Sequence, residues 1–220
     1  WGGGGGDARE LDYAGWRGAA RSLWEGTWRA EGHLAIGGFM ASDAEAVLPV
    51  VRDSIQGGGR YSAGEAFAAQ YRLLALRQAL LPVWEHMDVL VTPTIGTVPT
   101  RAAVLADPVV MNERLGYYTN HMNLLDLCAV AVPCGFLPSG LPFGVTLQAP
   151  AGDDHALLAL ADRLHRALGD TLGATGLPLA GTPPLVDDSQ GEARFPIAVC
   201  GGHMQGLPLH GELTGLGGRP

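Results

Sequence analysis

Three short apolar runs decide the fold: DVLVT at Asp88–Thr92, LCAVAV at Leu127–Val132 and FGVTLQ at Phe143–Gln148. Each is four to eight residues long and rich in β-branched or small apolar residues. The first two are closed by Pro93 and Pro133, and Ser139-Gly140 marks a turn between the second and the third. Such runs predict buried strands rather than helix turns. Around them the apolar spacing changes from two to between three and four. Ser62 and Glu65 form a capping box ahead of a stripe of Phe67, Tyr71, Leu74 and Leu81, which predicts the clearest helix in the chain. Trp16, Ala20, Leu23, Trp24 and Trp28 place one amphipathic helix over Tyr13–Ala35 with the tryptophans packing inward. Ser42 with Glu45 suggests a helix running through Pro49 to Ile55 and ended by Gly57–Gly59. Pro108 starts a further helix. Asp153 or Asp154 caps another, with Leu157, Leu158, Ala161, Leu164 and Leu168 inward and Gly169 as its stop. Helices interleaved with three strands make an α/β chain with a mixed sheet flanked by helices.

The organisation changes after Leu172. Residues 173–194 turn to Gly, Pro, Thr and Asp without periodicity and read as a linker. Residues 195–220 hold one further strand, Phe195–Cys200, and are too few to enclose a core of their own. Residues 1–172 therefore form the main body.

Composition excludes several function classes. The 220 residues carry 22 acidic and 14 basic side chains, a formal charge of −8. A protein so charged has no broad basic field for nucleic acid or an acidic membrane surface. The most apolar stretch, Leu124–Val132, contains Asp126 and is far shorter than the roughly 20 residues of a membrane span. All 14 basic residues are arginine, so chemistry that needs a lysine fails within this chain. Cys128, Cys134 and Cys200 are odd in number and irregularly spaced, which predicts free thiols and a cytoplasmic setting. Trp1 followed by five glycines resembles neither a signal peptide nor an initiating segment, and is read as an arbitrary start.

No catalytic constellation is visible. The serines at 22, 42, 54, 62, 139 and 189 include no GxSxG elbow. Ser42 and Ser62 are explained by capping, Ser139 by its turn. Cys134 follows a strand and precedes Gly135, yet no histidine lies near it in sequence, and an inert thiol is the simpler reading. His203, His210 and Glu212, or Asp153, Asp154 and His155, lack the spacing of a metal site, so no metal and no cofactor is expected. His86, just beyond the strongest helix, is accounted for by the helix dipole.

The stretches DVLVTPT, YYTNHMNLLDLCAVAVPCGF and SGLPFGVTLQAP resemble the C-terminal half of amidase-signature enzymes, and within them the allophanate hydrolase family. LWEGTWRAE from Leu23, GGGRYSAGEAFAAQYRL from Gly57 and VLADPVVMNERLGYYTN from Val104 support this, and the ending IAVCGGHMQGLPLHGELTGLGGR is similar to the opening of that family's small C-terminal domain. The resemblance implies a partial amidase-signature fold and hydrolysis of a small amide, allophanate, to ammonia and carbon dioxide in urea and triazine nitrogen metabolism. It also implies a serine nucleophile, a second serine in a cis peptide that relays the proton, and a lysine base. All three would lie in an N-terminal half that this chain lacks, so the chain alone is expected to be inactive and to need that half as partner. A homodimer is the expected assembly of the full-length parent.

Two substrate positions carried over from the family motif fall on Trp24 and Gly32, where the resemblance implies a tyrosine and an arginine. Gly32 removes a guanidinium that would hold a carboxylate through two hydrogen bonds. Arg29, on the same expected helix, is read as solvated surface. Tyr118, Asn120 and Asn123 are the remaining substrate-binding candidates, with loop-satisfying asparagines as the plainer reading of the last two. A non-catalytic amidase-like binding or scaffold protein remains the alternative, favoured modestly by the departures at 24 and 32.

Overall fold

The computed structural model describes residues 7–179 and 210–215. Residue contacts divide the chain into two units, 1–187 and 188–220. In the second, the described part is one short helix, His210–Gly215. The expected strand at Phe195–Cys200, the thiol of Cys200, His203 and most of the expected linker lie outside the described residues.

In the first unit the chain begins with α1 (Ala14–Glu25) and α2 (Trp28–Ser42). The single helix expected over Tyr13–Ala35 is thus two. Gly26 is extended at ψ −173°, which ends α1, and Thr27 opens α2. Ser42 does not cap a following helix. It ends α2, its hydroxyl donating to the Phe39 carbonyl at 2.9 Å. The next α-helix, α3 (Pro49–Gln56), starts at Pro49 itself, because proline drives the preceding Leu48 into an extended conformation and has no N–H to donate.

The following glycines do more than stop a helix. Gly57–Arg60 form a 3-10 turn in which Gly58 lies so close to the carbonyl of Arg29 that no Cβ fits between them. This lets the turn pack directly on the backbone of α2.

The capping box is present in full ahead of α4 (Ala63–Trp84): the Glu65 amide donates to Ser62 Oγ at 3.2 Å and the Ser62 amide to Glu65 Oε2 at 2.8 Å. The face that α4 buries is not the expected one. Ala69 and Leu80 are buried, with Leu73, Leu76, Val83 and Trp84 packed beside a core of Trp16, Ala19, Leu90 and Leu125. Phe67, Tyr71, Leu74 and Leu81 are all more than half exposed. The helix is apolar on both sides, and periodicity alone selected the wrong one.

The three expected strands are present: β1 (Leu90–Pro93) is shifted toward its closing proline, while β2 (Leu127–Phe136) and β3 (Pro142–Pro150) are longer than their apolar runs. Their order is β1-β3-β2, and both pairings are antiparallel. The α/β class stands, but parallel pairing, which a mixed sheet requires, is absent among the described strands. Connections explain this in part: β2 and β3 are joined by a short turn, with the Gly140 amide donating to the Leu137 carbonyl at 2.8 Å and Gly140 at φ +80°.

Between β1 and β2 lie α5 (Arg101–Ala106), α6 (Pro108–Leu115) and α7 (Asn120–Leu125). Thr100 and Asp107 cap the first two through their side chains. Asp126 then takes a left-handed conformation at φ 59°, turning the chain from α7 into β2.

Helix α8 (Asp154–Leu168) covers one sheet face, burying Leu157 and Ala161 against Cys128, Val132, Leu147 and Ala149. Leu158 and Leu168, expected inward, are exposed. Gly173–Leu179, the start of the expected linker, fold back on this body: Leu179 is buried and its amide donates to the Asp170 carbonyl at 2.6 Å. Among the described residues, no helix is long and apolar enough to cross a membrane.

Candidate functional site

Strand β3 is buried on both faces over Thr146–Ala149, and the two faces differ in chemistry. Leu147 and Ala149 point to α8, while Thr146 and Gln148, two apart, point to the helices on the other side. Thr92 of β1 pairs with Thr146 in register and shares the polar face. Burying such groups is unfavourable unless each finds a partner.

The partners are found across four elements. Gln148 Nε2 donates to Thr92 Oγ1 at 2.8 Å and to the Tyr118 carbonyl at 3.3 Å. Its Oε1 lies 2.6 Å from His121 Nε2, and His121 Nδ1 lies 3.1 Å from the Tyr13 hydroxyl. The Tyr118 carbonyl only accepts, so the Gln148 amide nitrogen must face it and the Gln148 oxygen must face the histidine. His121 therefore carries its proton on Nε2 and accepts from Tyr13 on Nδ1. Burial lowers the pKa of His121 to about 4, so the ring is neutral, as this pattern requires. Burial also raises the Tyr13 phenol well above its ordinary value, with the neighbouring Tyr117 and Tyr118 adding to the shift, which keeps the hydroxyl protonated and donating. A smaller link joins the Thr146 and Thr94 hydroxyls at 3.0 Å.

An aromatic cluster surrounds the network. Tyr13 stacks on Trp16 with ring centroids 6.2 Å apart and meets His121 edge-on at 5.7 Å. Tyr117 and Tyr118 meet edge-on at 4.8 Å, and Tyr118 lies 5.8 Å from Tyr13. Arg17 stands over the Tyr117 ring at 5.5 Å.

The residues expected at the site are only partly gathered here. Tyr118 is in the cluster, half-buried, with Gly96 against its ring edge. Asn120 opens α7 and packs its carboxamide on Gly116; Asn123, in the same helix, is exposed. Trp24 is in α1 and Gly32 in α2, on opposite sides of the Gly26–Thr27 break rather than on one helix. Gly32 faces α3, where an added Cβ would meet Ile55 Cγ1 at 3.9 Å. Arg29 is not simply solvated: its Nε is buried and has no hydrogen-bond partner among the described residues. Beside the break, a cavity of about 450 Å³ lies between α1, α2 and α4, with Arg21, Ser22, Trp28 and Arg72 in its wall.

His121, Gln148, Tyr13 and Thr92 were not singled out by sequence reasoning. The available signal was Thr146 and Gln148, two polar residues at strand spacing inside an otherwise apolar strand. The thiols are unremarkable: Cys128 is buried, its Sγ 3.2 Å from the Pro150 carbonyl, and burial raises its pKa. Among the described residues, no group of three His, Cys, Asp or Glu side chains is placed to hold a metal.

Comparison with known proteins agrees with this architecture. Urea amidolyase of Saccharomyces cerevisiae is 37% identical over 214 residues, which cover 93% of this chain but 12% of that protein. The solved structure of Kluyveromyces lactis allophanate hydrolase superposes with a TM-score of 0.72 at 33% identity, covering 93% of this chain and 35% of that one. Kluyveromyces lactis urea amidolyase gives 0.70 at 30% identity, over 93% of this chain and 13% of its own. The chain thus spans a small part of the relatives it matches. The family model described as Amidase matches residues 36–158, more than half of the 220, and the chain belongs to the amidase family.

Proposed function

We propose that this chain is part of an allophanate hydrolase, an amide-bond hydrolase that converts allophanate to ammonia and carbon dioxide in urea and triazine nitrogen metabolism. The observation that carries this reading is the match to allophanate hydrolase and urea amidolyase, sustained over 93% of the chain in both sequence and structure. Residues 1–172 are its amidase portion, residues 173–194 a connection and residues 195–220 the opening of a further domain. The bond-making groups, a serine, its relay and a lysine base, come from polypeptide outside this chain, which contains no lysine.

What this chain supplies is substrate positioning. Allophanate is a small anion, and a carboxylate entering the cavity beside α1 and α2 meets the guanidinium groups of Arg21 and Arg72, while the Ser22 hydroxyl in the same wall donates to the Gly18 carbonyl at 3.1 Å. Trp24 and Gly32, on the two helices that meet at this break, and Tyr118, Asn120 and Asn123, in the α6–α7 region, are the further substrate-contact residues of this reading. The working protein is cytoplasmic and a homodimer, and it needs no cofactor.

The test is ammonia release. The complete polypeptide carrying this segment releases ammonia from allophanate, and the 220-residue chain alone does not. Activity of the isolated chain above a buffer control would overturn the assignment of catalysis to residues outside it. A complete polypeptide that turns over other amides but not allophanate would overturn the substrate.

A second reading is a non-catalytic amidase-like binding protein, supported by the departures at Trp24 and Gly32. Calorimetric titration of the folded protein with a panel of small amides and of neighbouring gene products separates the two. Binding to nothing removes the second.

A further inference from the structure

We propose that His121 and Gln148 are positioning residues that fix the Tyr117–Tyr118 segment for contact with substrate, Gln148 through the Tyr118 main chain and His121 through Tyr13. The proposal rests on the reading of Tyr118 as a substrate-binding residue given above.

His121 and Gln148 are both 0% exposed, and Thr92 is 5% exposed. Replacing a matched buried polar pair by apolar groups of the same shape is often nearly neutral for stability, so a satisfied network at this depth is not required to fill the core. What the network adds is directional restraint.

Its one main-chain member is the Tyr118 carbonyl. Among the described residues, the other main-chain bonds of the turn around Tyr118 are local: the Thr119 and Asn120 amides donate to the Gly116 carbonyl at 3.0 and 2.8 Å, and the Tyr117 amide to the Arg114 carbonyl at 3.3 Å. These bonds shape the turn without attaching it to the sheet. Gln148 makes that attachment, because its amide reaches both Thr92 of β1 and the Tyr118 carbonyl.

The aromatic side is restrained by a second route. Tyr13 contacts Trp16, Tyr117 and Tyr118, and its hydroxyl is tied to His121 Nδ1. His121 Nε2 returns the chain of bonds to Gln148 Oε1. Main chain and ring of Tyr118 are thus referred to one carboxamide, itself on the central strand of the sheet. Apolar replacements would fill the volume and leave the turn attached by ring packing only.

The experiment uses the complete amidase polypeptide. In Gln148→Leu and His121→Phe, amide hydrogen exchange at residues 117–120 rises about tenfold, the effect of one lost neutral hydrogen bond, while exchange across α8 does not change. KM for the amide substrate rises by a similar factor, with kcat within about twofold of wild type. His121→Gln, which can donate to Gln148 and accept from Tyr13, restores both readouts. In a Tyr118→Ala background, His121→Phe adds no further change in KM, since its effect passes through Tyr118. Should the apolar variants fail to fold, Tyr13→Phe keeps every ring contact, removes only the donated hydroxyl, and still speeds exchange at 117–120. Unchanged exchange in a folded Gln148→Leu or Tyr13→Phe protein, or additive KM effects with Tyr118→Ala, overturns the proposal. A wild-type protein that hydrolyses no amide removes the functional reading instead, and the exchange measurement still decides the positioning role.

Discussion

The outward stripe of α4 predicts how this chain behaves on its own. Phe67, Tyr71, Leu74 and Leu81 are 56%, 67%, 55% and 53% exposed, on the side of the helix opposite the core formed with α1. Full burial of a side chain of this size stabilises by about 1.5 to 3 kcal/mol, so half exposure forgoes roughly 1 kcal/mol at each position and about 4 to 5 kcal/mol along the stripe. That approaches the lower end of the net stability of an ordinary domain, about 5 kcal/mol. Expressed alone, the 220-residue chain should therefore be insoluble or oligomeric and bind a hydrophobic dye, and co-expression with an N-terminal amidase portion should raise its solubility. Replacing the four residues by Glu, Lys or Gln keeps good helix formers at exposed positions and should shift the species toward monomer in size-exclusion chromatography with light scattering. A soluble, dye-silent monomer with a sharp thermal transition from the unsubstituted chain would refute the reasoning. Equal association of the substituted chain would show that the stripe is not its cause.

Three further outcomes are expected. Gly32→Arg combined with Trp24→Tyr in the complete polypeptide should raise kcat/KM for allophanate by roughly ten- to a hundredfold, the size of a charged two-point contact, because the Cβ has room at 3.9 Å from Ile55; an unchanged rate refutes the mapping. His121, neutral when folded with a pKa of about 4 against 6.5 when unfolded, lets the unfolded state bind more protons between those values, so stability should fall as pH drops from 6.5 to 4 by up to about 3 kcal/mol; denaturant titrations of the complete polypeptide should show this slope and lose it in His121→Gln. Gly58→Ala should destabilise by about 1 to 3 kcal/mol, since its Cβ would overlap the Arg29 carbonyl, whereas Gly57→Ala, with open space and a helical backbone, should be neutral or slightly stabilising; equal melting temperatures for the two would contradict the packing described.

The strands were legible because a run such as DVLVT needs no partner to be recognised: its length and its closing proline suffice. Their ends moved outward, to Phe136 and Pro150, because hairpin pairing across Gly140 recruits residues with no apolar signal of their own. The Ser62–Glu65 cap was legible for the same reason, since every group it needs lies within four residues. The division of the first helix at Gly26 was not, because Trp24 and Trp28 keep a helical spacing across the break. The polar network was hidden more deeply. Tyr13, Thr92, His121 and Gln148 come from four segments, and pairings between residues 27 to 108 positions apart leave no periodic mark.

The misread face of α4 and the overlooked polar face of β3 have a common physical origin. In a closed domain, apolar stripes face inward and polar residues face water, so Phe67–Leu81 reads as core and the polar pair Thr146 and Gln148 inside a buried strand reads as nothing more than strand. Both readings fail here. A helix apolar on two opposite sides and a strand segment buried on both faces are features of elements inside a larger body. The solved relative agrees, since this chain matches 35% of its length. The two faces differ in what they still lack. Gln148 has its partners within the chain, and its burial is complete. Among the described residues Phe67, Tyr71, Leu74 and Leu81 stay more than half exposed, which is why the stripe and not the buried network is the feature that the association assay tests.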